Sequence, residues 1–149
     1  MLEDVVPDWD VLRNLTYKYV YENFGREGLL KYYRHMANSD FYKDVIDNVK
    51  KEGLKGVKRY WENSSADDGT SYNQKLTRDK YSLEVNNCMA FKHFRDKKEK
   101  PFEMFCDYCM VVNSVIADKS NLFYELKKCD KKGKCKHIFY RKAELESTS

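Results

Sequence analysis

The sequence predicts an α+β domain: a helical N-terminal half followed by a small antiparallel sheet of three or four strands packed against helices. Three observations lead there. Apolar residues recur at three- and four-residue spacing from Val11 to Trp61; at Tyr81, Leu83 and Val85 the spacing becomes a strict alternation; and two further alternating stretches flank the run Asp130-Lys131-Lys132-Gly133-Lys134. The 149 residues fit a single domain, 1–149, which can bury roughly two thirds of its unfolded surface without a staple.

Taken in order, Asp8 or Asp10 after Pro7 can cap a first helix whose apolar face is Val11, Leu12, Leu15, Tyr19 and Val20, and Phe24 and Gly25 close it. A second helix, about 26–36, carries Leu29, Leu30, Tyr33 and Met36 on one face, and Asn38-Ser39-Asp40 stops it and caps the next. That third helix, about 40–51, presents Phe41, Val45, Ile46 and Val49 before Gly53 ends it, and a short fourth, 54–62, repeats the pattern with Val57, Tyr60 and Trp61. From 63 to 79 the chain loses its apolar period and collects Ser, Asn, Asp and Gly, which reads as a surface loop.

The alternation at 80–86 is a half-buried strand leading to Cys88, and 89–96 suits a short helix or turn. Pro101 belongs in the first turn of a helix running to about Asp118, with Phe102, Phe105, Cys109, Val112 and Ile116 as its buried stripe, Cys106 one step round and Asp107 opposite. Residues 121–128 and 135–142 form a hairpin around Gly133, which suits a turn needing positive φ, and Glu144 to Ser149 read as a frayed tail.

Composition narrows the function classes. The formal charge of +4 arises from 28 basic and 24 acidic residues spread along the chain, a mixed surface rather than a phosphate-seeking one, so no nucleic-acid partner is expected. No window approaches the apolar length of a membrane span and the N-terminus lacks the pattern of a signal peptide, so no membrane association is expected and the location is read as cytoplasmic. Five cysteines in such a chain then read as reduced thiols. Twelve Tyr and eight Phe are enough to expose a patch for a homo-oligomer. No Gly-rich phosphate loop, metalloprotease motif or nucleophile elbow is present, and no cofactor is expected.

The chemistry-bearing residues are the thiols and histidines. Cys106 and Cys109, with Cys129, Cys135 and His137 or Cys88, are the candidate zinc set, but the first pair falls within an expected helix and the second spacing exceeds that of a zinc knuckle. Placing both cysteines a turn inside a helix also argues against thioredoxin-like chemistry, which uses a helix N-terminus. A cysteine nucleophile needs a base within reach, and His93 and His137 are the candidates. The bland alternative is that the cysteines are small buried hydrophobes lining a core or pocket.

A strand ending in Asn86-Asn87-Cys88, then Phe105-Cys106 at a helix, then a strand, a turn with Gly133, and Cys135 followed by Phe139 resembles the L-2-amino-thiazoline-4-carboxylic acid hydrolase family, a bacterial family of small α+β domains, over about residues 79–142. Cys109 stands where that family commonly has an acid, and Cys135-Lys136-His137-Ile138-Phe139 replaces its usual Cys-Asp-Phe. The resemblance implies hydrolysis of a cyclic thiazoline or amidine-type small molecule to a carbamoyl-cysteine. It further implies Cys106 as nucleophile or pocket thiol, Cys88 and Asp107 as catalytic neighbours, and Cys109, Cys135, His137 and His93 around the pocket. The alternatives are a small-molecule-binding or sensory domain without catalysis and a zinc-stabilised interaction module.

Overall fold

The computed structural model describes residues 9–142, apart from the side chains of 67 and 68. The expected cap at Pro7 and Asp8 and the expected tail from Glu144 lie outside those residues. Within them the order is α1 (Trp9–Ala37), α2 (Asp40–Glu52), α3 (Leu54–Asp68), β1 (Ser71–Leu76), β2 (Lys80–Asn87), α4 (Met89–Asp96), α5 (Asp107–Lys119), β3 (Leu122–Cys129) and β4 (Cys135–Arg141). The architecture is α+β, with a four-stranded antiparallel sheet in the order β1-β2-β4-β3 packed against helices.

The first two expected helices are the two arms of α1, broken at Gly25, where φ 72° and ψ −176° describe a backbone that only glycine adopts at little cost. Two expectations are overturned. The segment 63–79 is not a loop: α3 runs on to Asp68, ends at Gly69 in the left-handed conformation, and is followed by β1. β1 pairs along β2 from Ser71↔Asn87 to Leu76↔Tyr81, and its inward positions include Gln74, whose amide oxygen accepts from the Tyr81 hydroxyl at 2.8 Å. A polar residue thus sits where a strand pattern calls for an apolar one, and the alternation is blurred.

The second correction concerns α5, which begins at Asp107 rather than at Pro101. Residues 102–106 form tight turns with Phe105 N–H bonding to Phe102 C=O and Asp107 N–H to Met104 C=O. The buried Asn14 of α1 holds this stretch from outside: its Oδ1 accepts from the Phe102 N–H at 2.8 Å and its Nδ2 donates to the Lys100 carbonyl at 2.9 Å. With its backbone satisfied by a distant side chain, the segment has no need of a helical turn.

Two apolar clusters flank α5. One joins the inner sheet face, Tyr81, Leu83, Val85 and Phe139, to α2, α3 and the Val112, Ile116, Ala117 face of α5. The other joins α1, α4 and the 102–106 turns, with Tyr17, Leu29, Tyr33, Phe91, Phe94, Phe105 and Val111. Cys88, Tyr108 and Val115 touch both.

Candidate functional site

Because successive strand residues point to opposite faces, Cys135 and His137 share the inner face of β4, opposite Val85 and Leu83 of β2. Their side chains meet: Cys135 Sγ lies 3.0 Å from His137 Nε2. On the other ring nitrogen, Nδ1 is 2.6 Å from the Tyr124 hydroxyl of β3. Trp61 of α3 stacks on the imidazole with centroids 5.5 Å apart and planes at 28°. The result is a thiol, an imidazole and an orienting phenol in line. When Nδ1 carries the proton and donates it to Tyr124, the Nε2 lone pair faces the thiol.

Burial decides the charge state. It pulls the His137 imidazole down to about 4 from an ordinary 6.5, so the ring is neutral around pH 7. Burial also pushes the Cys135 thiol up, as do the neighbouring thiols Cys109, Cys88 and Cys129 and then Asp130. The pair is therefore a neutral thiol on a neutral imidazole rather than a resting ion pair, an arrangement that permits a proton to pass from Sγ to Nε2.

The remaining cysteines gather around this pair. Cys88 follows the last residue of β2, and its backbone N–H donates to the Gly133 carbonyl at 2.9 Å, fixing it to the hairpin turn. Cys129 is the cross-strand partner of Cys135. Cys106 caps the N-terminus of α5, and its thiol is pushed up first by burial, then by Cys129, to which it is hydrogen-bonded, and by Cys109 and Cys88. Among the described residues no set of three or more His, Cys, Asp or Glu is arranged to hold a metal ion. An open groove of about 720 Å³ runs along the hairpin mouth, lined by Cys129 and Cys135 with Lys128, Lys134 and Lys136.

Cys109, in the first turn of α5, links the thiols to a second polar group. The Arg13 guanidinium lies 5.1 Å from the ring centroids of both Phe105 and Tyr108, and its Nε donates to the Tyr17 hydroxyl at 3.0 Å. Burial opposes its charge, but Tyr17, Cys109 and Asp10 outweigh burial and raise its pKa. The Tyr108 and Tyr42 hydroxyls are 2.6 Å apart. Burial pushes the Tyr17 phenol up to about 12 and the Tyr42, Tyr60 and Tyr108 phenols up as well, so all are neutral donors at physiological pH.

Two residues singled out from sequence stand apart from this arrangement. His93, on α4, pairs with Asp10 of α1 at 2.6 Å between Nδ1 and Oδ2. Asp107 occupies the first turn of α5, where the helix dipole favours a carboxylate, and its charge helps to raise the Tyr33 phenol. Arg13, Trp61, Asn113 and Tyr124 were not among the sequence candidates. The i, i+2 spacing of Cys135 and His137 on an expected strand was the available signal for that pair; nothing local marks the others.

Neither a known protein family, nor a curated protein, nor a solved structure matches this chain.

Proposed function

We propose that the chain is a hydrolase-like domain that uses the Cys135–His137 pair on a small electrophilic molecule, in the cyclic thiazoline or amidine class that the family resemblance implies. The observation that carries this reading is the 3.0 Å contact between Cys135 Sγ and His137 Nε2, with Nδ1 held by Tyr124 at 2.6 Å. A nucleophile beside a base, with the base oriented by a third group, is what covalent attack on an amidine carbon requires. Cys135 adds to the ring carbon while its proton passes to Nε2 and then to the departing ring atom. Water adds to the same carbon and expels Cys135 as the thiol, leaving a carbamoyl-cysteine. Arg13, beside Cys109, supplies a cation for the substrate carboxylate.

In this reading the leading thiol is Cys135, with Cys109, Cys88 and Cys129 as its neighbouring thiols and Cys106 bonded to Cys129. The test is to incubate the protein with L-2-amino-thiazoline-4-carboxylate and follow carbamoyl-cysteine. Cys135→Ala and His137→Phe should each lower turnover by about 10²-fold or more, with the protein still folded. Full turnover by Cys135→Ala would end the assignment. A second reading, a binding or sensory domain without catalysis, is favoured by one observation: burial raises the thiol and lowers the imidazole, away from an activated ion pair. Saturable binding of the same compound without turnover supports that reading instead.

A further inference from the structure

The β3–β4 hairpin sets two thiols directly opposite each other. The Asp130 N–H donates to the Lys134 carbonyl at 3.0 Å and closes a three-residue turn, so the next pair along the strands, Cys129 and Cys135, is a non-hydrogen-bonded one. Residues facing each other at such a pair have Cα atoms about 4.5 Å apart and side chains on one face, within the span that a disulfide bridges. The turn that fixes them is held on both sides. Asp130 Oδ1 accepts from the Lys132 and Lys134 N–H groups at 2.7 and 3.0 Å, and the Gly133 carbonyl accepts from the Cys88 N–H at 2.9 Å. Both cysteines are reduced and half-buried, and both line the open groove of about 720 Å³, where Lys128, Lys134 and Lys136 stand with Glu84 and Asp130. Cys135 already has its base, with His137 Nε2 at 3.0 Å.

We propose that Cys129 and Cys135 are a reversible dithiol that reduces small anionic disulfides reaching it along this groove. Cys135 Sγ attacks one sulfur of the disulfide RSSR while its proton passes to His137 Nε2. The S–S bond breaks and the departing sulfur takes that proton, giving RSH and a mixed disulfide on Cys135. Cys129 Sγ then attacks Cys135 Sγ, a new S–S bond closes across the two strands, and the second RSH leaves with the Cys129 proton. Two thiols of the chain are oxidised by two electrons, one RSSR becomes two RSH, and an external dithiol restores the starting state. Three lysines against two carboxylates in the groove favour an anionic disulfide over a cationic one. The bridged product is uncharged, so its half-buried setting does not oppose it as it opposes a thiolate. The inference stands on the hairpin geometry and does not need the hydrolase-like reading.

The experiment treats the reduced full chain with glutathione disulfide, which is net negative, or with cystamine, a disulfide bearing two ammonium groups. Samples are quenched in acid, unfolded, alkylated and read by intact mass and tryptic mapping. Trypsin cuts after Lys131, Lys132 and Lys134, between the two cysteines, so only a bridge keeps their peptides together. With glutathione disulfide the chain should lose two thiols, release two glutathiones and yield a linked Cys129–Cys135 peptide that dithiothreitol separates. Cys129→Ser should stop at the mixed disulfide on Cys135, and His137→Phe should slow the first step by about tenfold or more. Cystamine should react about tenfold more slowly at low salt, a gap that narrows at high salt and reverses in the double variant Lys134→Glu, Lys136→Glu.

A bridge that joins Cys106 to Cys129 instead, glutathione left standing on Cys135 of the unsubstituted chain, or no loss of thiols overturns the proposal. So does cystamine reacting as fast as glutathione disulfide at low salt, because the groove would then select no charge. The bridge and the hydrolase-like reading fail separately. An oxidised chain that turns over the thiazoline at full rate keeps the bridge and ends Cys135 as the hydrolytic nucleophile. A reduced chain that turns over the thiazoline but forms no Cys129–Cys135 bridge ends the dithiol and keeps the hydrolase reading.

Discussion

His137 carries a pH dependence whose sign is fixed by its burial. Its folded pKa, about 4, lies below the ordinary 6.5, so the unfolded chain binds the proton more readily than the folded one. The stability it contributes is therefore present above pH 6.5 and is lost as the pH falls through 4, a change of about 3 kcal/mol. Urea midpoints measured from pH 7.5 down to pH 4 should fall accordingly, and His137→Phe should remove that part of the slope. The thiols give the opposite kind of signal. With Cys106 and Cys135 raised, alkylation by iodoacetamide should be slow at neutral pH and keep accelerating through pH 9, with no plateau near neutrality. At this scale the sequence singled out Cys135 and His137 among several candidates and could not pair them. Cys135 and His137 were legible as thiol and base, but their meeting depends on strand phase. Tyr124 and Trp61 reach His137 from another strand and a helix, and Asn113 adjoins Tyr124 from a further helix, a convergence that no local spacing encodes.

Among the elements, α1 and the α2–α3 corner depend on two glycines for different reasons. At Gly25 a Cβ would meet nothing within 4 Å, so Gly25→Ala should cost only its backbone conformation, about 1–3 kcal/mol. At Gly56 a Cβ would come within 2.9 Å of Val49 Cα, backbone that cannot swing aside, so Gly56→Ala should cost about 1–3 kcal/mol by forcing α2 from α3. Thermal unfolding of the two variants measures both. Asn14→Ala should cost about 1–3 kcal/mol by unpairing the Phe102 N–H and the Lys100 carbonyl, and it should loosen the turn that presents Cys106. That same side chain explains why the start of α5 was misread. Pro101 fits a first helical turn by its own preference, and only a contact spanning 88 residues says otherwise. The helix at 40–52, the 54–62 part of α3, β2 and the hairpin were legible because each carries its own apolar period, which the 63–68 end of α3 lacks. β1 was not, because it is an edge strand with Gln74 facing inward.

At the scale of the whole molecule, α5 belongs to both apolar clusters through Tyr108 and Val115. Neither cluster can lose its packing without exposing a face of this helix, so unfolding should be one cooperative transition with matching calorimetric and van't Hoff enthalpies. Tyr108→Ala should lower stability by about 2–4 kcal/mol without splitting that transition. Two resolved transitions would show that the clusters are independent. The interior phenols have a further consequence at the alkaline end. Tyr33, Tyr42, Tyr60, Tyr81, Tyr108 and Tyr124 are all raised above 10, with burial the first cause in each. Their contribution to stability is complete below pH 10 and is withdrawn as the pH climbs beyond it. Base therefore attacks this fold from its centre, and the ultraviolet band of ionised tyrosine should rise in one steep step as the chain opens, making the core its own optical gauge of collapse.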